Sequence, residues 1–203
     1  MPESIARRAL PVPANVWIRP LAPAMRFILQ GGPEARAAAA RAWEAAFSDQ
    51  RCRAMTKDSS ATLWLGPDEY LLLKTLADSG AGGDDPGAAT AAGQALEEAL
   101  AGVPHSLVDI GHRQFACEVT GPHAAEILNG ACPLDLDLGE FPPGMCTRTV
   151  LAKADIVLWR TRADAFHLEV WRSFGSYVIA LLAEIASEFY GPTLPDSSRS
   201  GEQ

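Results

Sequence analysis

Residues 25–30 (MRFILQ) put apolar Met25, Phe27 and Leu29 at every second position with Arg26 and Gln30 between them, a pattern that predicts a half-buried strand. Gly31-Gly32 interrupts it. Pro33 then opens EARAAAARAWEAAF, where Ala39, Trp43 and Phe47 recur four apart on one helical face while Arg36, Arg41 and Glu44 fall elsewhere. Two short β-like runs, 62–65 and 70–74, flank GPDE, whose Gly, Pro and Asp supply turn conformations, so this stretch reads as a hairpin. Residues 79–89 (SGAGGDDPGAA) lack apolar periodicity and read as a loop or linker. From 90 to 101 a helical stripe of Ala92, Ala95, Leu96 and Leu100 returns around Glu97 and Glu98.

The second half repeats this order. Strands are expected at 106–110 and 113–119, and Gly121-Pro122 opens the helix HAAEILNGA. After the loop CPLDLDLGEFPPGM, residues 148–152, 155–161 and 165–171 alternate as strands, with 162–164 closing a hairpin and Phe166, Leu168 and Val170 opposed to His167, Glu169 and Trp171. Ser173 is placed to cap a final helix whose stripe is Phe174, Tyr177, Val178, Leu181, Leu182, Ile185 and Phe189. The expected fold is α+β, two similar halves of antiparallel sheet with helices. Residues 1–20 form an N-terminal extended segment, 21–190 a single domain divided at about 104/105, and 191–203 a flexible tail.

Composition narrows the function classes. Of 203 residues, 48% are hydrophobic and 21% charged, with four Cys, which excludes a disordered chain and a disulfide-built scaffold. The longest apolar run, 177–183, is far shorter than the roughly 20 residues that span a bilayer, so no membrane segment is expected. The N-terminus carries prolines in place of a continuous apolar core and does not read as a secretion signal; a cytoplasmic location with free thiols is expected. The net charge of −8 is unevenly spread: residues 1–57 carry nine Lys/Arg against four Asp/Glu, and the remainder is strongly acidic. Arg36, Arg41, Arg51 and Arg53 read most simply as the solvated faces of a helix and its loop, and with no interleaved aromatics nucleic acid is not an expected partner.

Candidate chemistry is sparse. Cys52, Cys117, Cys132 and Cys146 include no C-x-x-C pair, and with His112 and His123 their spacings match no zinc motif. Cys117 alternates with Phe115 and Val119 and reads as a small core residue. Cys146 is near Arg148 in sequence, which can lower a thiol pKa, but no His and acid accompany it, so a structural cysteine is favoured. The loop at 79–89 follows neither glycine-rich phosphate fingerprint. Asp109, His112 and Arg113 cluster in SLVDIGHRQ; proton transfer and a hydrogen-bonded tight connection are both open to them, and the absence of a second converging group favours the latter. No catalytic, cofactor-binding or metal-ligating residue is therefore assigned. Trp159-Arg160 and Trp171-Arg172 recur as Trp-Arg pairs, the residue types that most often anchor interfaces; partner contact and core burial are both open for the tryptophans.

Read together, LWLGPDEYLLL (63–73), LVDIGHRQFACEVTGPHAAEILNGACPLDL (107–136) and FPPGMCTRTVLAKADIVLWRTRADAFHLEVWRSFGSYVIALLAE (141–184) closely resemble the gamma subunit family of heterotetrameric sarcosine oxidase. More distantly, Asp109, His112, Arg113, Val119, Gly121, Ala124 or Ala125, and Leu128 resemble a pattern of the folate-binding aminomethyltransferase domain. The resemblance implies an aminomethyltransferase-like fold and a non-catalytic accessory chain in a complex that oxidatively demethylates sarcosine to glycine. It further implies that alpha, beta and delta chains are its partners. FAD, FMN, NAD, tetrahydrofolate and zinc are implied in those partner chains and none in this one. The alternative is a free-standing folate-binding protein or aminomethyltransferase-like enzyme that uses the cleft between the halves. Trp159, Arg160, Trp171 and Arg172 are the candidate partner interface.

Overall fold

The period-two stretches build two antiparallel sheets that pack face to face. The computed structural model describes residues 10–12, 16–75 and 86–190. The extended segment expected at 1–20 is described only at 10–12 and 16–20, the Gly-rich stretch only from 86 onward, and the tail expected at 191–203 lies outside the described residues. The chain runs β1 (Leu10–Val12), β2 (Val16–Pro20), β3 (Ala24–Gln30), α1 (Pro33–Trp43), β4 (Ala54–Lys57), β5 (Ser60–Gly66), β6 (Glu69–Thr75), α2 (Pro86–Ala99), β7 (Ser106–Asp109), β8 (Gln114–Thr120), α3 (Ala124–Asn129), β9 (Cys146–Leu151), β10 (Ala154–Arg162), β11 (Ala165–Trp171) and α4 (Gly175–Tyr190). Short 3-10 turns occupy Gly111–Arg113 and Arg172–Phe174.

One sheet has the order β4-β5-β6-β3-β7, the other β1-β2-β8-β11-β10-β9. Because side chains alternate across a strand, each sheet offers two faces, and here all four are used. Phe27, Leu29, Tyr70 and Leu72 pack under Ala35, Ala39 and Trp43 of α1 and Leu96 of α2. Ile18, Val119, Leu158, Phe166 and Leu168 pack under Ile127 and Leu128 of α3 and Val178 and Leu182 of α4. Between the sheets, Leu63, Leu65, Leu71 and Leu73 meet Ile110, Cys146, Val157 and Trp159. Burying a side chain of this kind contributes about 1.5–3 kcal/mol, so the three apolar layers dominate the stability.

Several expectations change in detail. Phe47 was expected on the helix of Trp43, but α1 ends at Trp43 and Glu44 takes a left-handed conformation (φ 59°). The turn brings Phe47 edge-on to Tyr70, with ring centroids 5.0 Å apart. Residues 86–89, read as loop, form the first turn of α2, where Pro86 needs no backbone donor. Ser173 does not cap the last helix: it lies in the 3-10 turn, and α4 starts at Gly175. A Cβ at Gly175 would sit 2.9 Å from the Phe115 ring, so only glycine lets the helix start this close to β8. Phe174 and Tyr177, expected on the buried stripe, are 37% and 36% exposed, and the core-facing residues are Val178, Leu182, Ile185 and Ala186. The side chain of Phe189 lies outside the described residues.

One element crosses the expected division at 104/105, and another joins the domain from the segment expected at 1–20. β7 pairs with β3 in the five-stranded sheet, Ile28 opposite Val108, while β2 pairs with β8 in the six-stranded sheet, Ile18 opposite Val119. The second half therefore lends β7 to the first sheet, while the N-terminal segment supplies β2 to the second.

Candidate functional site

The inter-sheet layer holds the polar groups that most need an explanation. Arg26 falls on the β3 face that looks toward the other sheet, between Met25 and Phe27, which point to the helices. Its Nε donates to Oε2 of Glu169 on β11 at 2.7 Å, and its Nη1 donates to the Ala24 carbonyl at 2.9 Å. The remaining carboxylate oxygen of Glu169 lies 2.8 Å from Nε2 of His167. Arg26 is 3% exposed, Glu169 2% and His167 7%. Both oxygens of the buried carboxylate are thus engaged, as a charge removed from water requires. Sequence reasoning assigned nothing to this trio. The available signal was an Arg inside an apolar strand and a His and Glu two apart in FHLEVW, all on faces that would be solvated in a one-sheet protein.

Beside the trio is a cavity of about 320 Å³, near the lower bound for small-molecule pockets. Ile28, Leu65, Leu71 and Ile110 line it from one sheet and Gln114, Val157, Glu169 and Trp171 from the other, with Arg113 and Arg148 at its rim. Arg148 is committed to Glu69 through two bonds of 2.6 Å. Those bonds hold the Glu69 carboxyl below its ordinary range and raise the Arg148 guanidinium. The Arg113 guanidinium sits 5.8 Å from the centre of the Trp171 ring. The Gln114 side-chain oxygen is buried without a hydrogen-bond partner.

The four residues expected at a partner surface do not share a face. Trp171 is 54% exposed, and Arg172 beside it is exposed. Phe174 in the 3-10 turn and Tyr177 in the first turn of α4 are exposed as well, edge to face with centroids 6.2 Å apart. Trp159 instead packs in the inter-sheet layer, its ring 5.7 Å from that of His167. Arg160, next in sequence, points to the opposite face of β10 because of the pleat. It is 3% exposed, donates to the carbonyls of Leu136 (2.9 Å), Phe141 (2.8 Å) and Ala163, and lies over the Phe166 ring at 4.7 Å. Burial lowers the pKa of this guanidinium, with Asp137 and Asp164 opposing the shift. Arg160 fastens the 132–145 loop and the β10–β11 turn and is not presented at the surface.

The other candidates lie apart from the cavity or are already engaged within the fold. Asp109 accepts the Gly111 N–H at 2.8 Å, the Asx geometry of a tight connection, and His112 is exposed. Burial pushes the Cys117 and Cys146 thiols up to about 12. The Arg148 guanidinium lies on Glu69. Arg36 bonds Asp49 and the Tyr70 hydroxyl, while Arg41 and Arg51 are exposed. Among the described residues no three His, Cys, Asp or Glu gather as a metal site, and no helix is long and apolar enough to cross a membrane.

Paired antiparallel sheets with helices on both outer faces are a fold of the aminomethyltransferase-like class. The glycine cleavage system aminomethyltransferase T from Bartonella henselae superposes with a TM-score of 0.60 over 84% of this chain and 46% of that one, at 14% identity, a likeness of fold alone. Within that class, the model of the sarcosine oxidase, gamma subunit family matches residues 32–188. The chain belongs to this family. It is 31% identical over 137 residues to sarcosine oxidase subunit gamma from Arthrobacter sp, and 32% identical over 130 residues to that from Corynebacterium sp. (strain U-96). These alignments span 68% and 64% of this chain and 62% and 58% of the relatives, so the chain matches less than two thirds of their length. A chain of the heterotetrameric sarcosine oxidase from Corynebacterium sp. U-96, solved in complex with pyrrole 2-carboxylate, superposes with a TM-score of 0.77 at 27% identity. That superposition covers 92% of this chain and 91% of the other.

Proposed function

We propose that this chain is a non-catalytic subunit of a heterotetrameric sarcosine oxidase in the cytoplasm. Its partners are alpha, beta and delta chains, which carry the FAD, FMN, NAD, tetrahydrofolate and zinc of a reaction that converts sarcosine to glycine. The observation that carries this reading is that the buried charged side chains are spent on one another and on backbone carbonyls. Glu169 is engaged by Arg26 and His167, and Arg160 by backbone carbonyls. Glu169 lines the inter-sheet cavity, but with both oxygens already engaged it offers no free carboxylate for general acid or base work.

Trp171 and Arg172 are the part of the expected interface that supports partner contact, joined by Phe174 and Tyr177. An exposed aromatic cluster with a flanking Arg is the composition of an interface core.

Co-expression with the adjacent reading frames tests the assignment. The expected product is one complex containing this chain, with bound flavin and sarcosine-dependent peroxide release. A chain that stays alone while the others form a fully flavinylated, active oxidase overturns it. Micromolar binding of tetrahydrofolate to the isolated chain in calorimetry replaces it with a folate-binding protein that uses the inter-sheet cavity.

A further inference from the structure

Cys52 and Cys146 lie across from one another at a short antiparallel contact. Arg53 and Met145 form an isolated bridge there. It is flanked by a bond from the Ala54 N–H to the Gly144 carbonyl (2.8 Å) and one from the Cys146 N–H to the Cys52 carbonyl (2.9 Å). Cys52 and Cys146 are the opposed pair next to that bridge and share one of the two bonds of a hydrogen-bonded rung, at which Cα atoms are about 5.5 Å apart when both bonds form. A disulfide needs about 4.4–6.8 Å. The two thiols differ in surroundings: Cys52 is partly exposed and takes a left-handed conformation (φ 56°), whereas Cys146 is fully buried in the inter-sheet layer. Cys146 senses Cys52, whose charge adds to the burial that pushes the Cys146 thiol up to about 12. Cys117 and Cys132 pack on the other face of the six-stranded sheet, under α3 and α4.

We propose that Cys52 and Cys146 form a reversible disulfide, with Cys52 as the thiol first oxidised by a peroxide-class two-electron oxidant and Cys146 as the resolving thiol. The Cys52 sulfur attacks a peroxide oxygen, the O–O bond breaks, and water leaves, giving a sulfenic acid. The Cys146 sulfur then attacks the sulfenic sulfur. The S–S bond forms, the S–O bond breaks, and the departing oxygen takes the Cys146 proton to leave as a second water. One peroxide is reduced and two thiols are oxidised. Because the thiolate is the attacking form, the high Cys146 pKa makes the second step slow at neutral pH and faster as pH rises. The bond joins the segment just before β4, an edge strand of one sheet, to β9, an edge strand of the other. Oxidation therefore locks the two sheets at their edges.

The test uses the full chain, reduced, exposed to hydrogen peroxide in its folded state, alkylated, and mapped by mass spectrometry without reductant. The expected result is one cross-link joining the peptides of Cys52 and Cys146, lighter by two hydrogen atoms and reversed by dithiothreitol. In Cys146→Ser the sulfenic acid at Cys52 persists and is trapped by dimedone; in Cys52→Ser no cross-link forms and Cys146 stays reduced. The proposal is overturned if the wild-type chain yields Cys52 as unchanged thiol or as sulfinic acid with Cys146 free, or if the cross-link joins another pair. The wild-type map decides even if Cys146→Ser fails to fold, and Cys146→Ala supplies an apolar substitute for the trapping experiment.

Discussion

The Arg26 guanidinium meets the Glu169 carboxylate at 2.7 Å across the gap between the two sheets, with side-chain exposures of 3% and 1%. It is a buried ion pair spanning separate sheets and 143 residues of sequence. Its attraction is offset by the cost of taking both charges from water, so its worth lies in what happens when one partner is lost.

Arg26→Met leaves Glu169 buried with only His167, and Glu169→Leu leaves Arg26 with only the Ala24 carbonyl. Each single variant is expected to lose about 3–5 kcal/mol, while the double variant recovers most of that loss because no uncompensated charge remains. Urea unfolding of the four proteins gives the cycle. Additive losses in the double variant would mean the pair acts through packing and not charge.

Arg160→Ala removes the donor shared by the Leu136, Phe141 and Ala163 carbonyls and should cost about 3 kcal/mol, with Arg160→Lys only partly restoring it because an ammonium lacks the planar fork. Thermal and urea unfolding measure this. An Arg160→Ala chain as stable as wild type that fails to assemble would return Arg160 to the partner surface.

Trp171→Ala combined with Arg172→Ala changes two exposed side chains, of which Trp171 also carries the Arg113 guanidinium on its ring, so unfolding free energy should fall by no more than about 1 kcal/mol. Assembly should weaken at least about tenfold, as truncation of interface anchors does. Sedimentation of the co-expressed chains checks it. Raising salt should weaken the same assembly if the basic residues of 1–57 meet an acidic partner.

Glu69, held by Arg148, has a folded pKa below its ordinary value of 4.5. A depressed carboxylate pKa stabilises the fold above the unfolded pKa, and that contribution disappears as pH falls through the folded value. Arg148 is nearly half exposed, so solvent screening keeps the effect below about 1 kcal/mol. Glu69→Gln should therefore be slightly less stable than wild type at pH 7 and equal to it near pH 2. An unchanged gap at both pH values would exclude the ionic origin.

The sequence by itself determined most of the local elements, though not β2 or β4, and the class of fold. The alternation in 25–30, 155–161 and 165–171 leaves few choices but strands, and GPDE between two β-like runs leaves little but a hairpin. It also determined the family, through motifs spread along most of the chain. The tertiary structure decided what each face meets. Periodicity says that His167 and Glu169 share a face, but only the five-stranded sheet laid over that face makes them buried and calls for Arg26 from a distant strand. The same limit governs Trp159-Arg160: neighbours in sequence, they point oppositely across the pleat, and the loop carbonyls that capture Arg160 come from residues 136 and 141. These sheet memberships were hidden for a related reason, since pairing of β2 with β8 and β3 with β7 is a contact between distant segments that no local pattern encodes. Local propensity depends on the residue and its near neighbours, whereas burial, charge pairing and sheet membership depend on what the rest of the chain brings alongside.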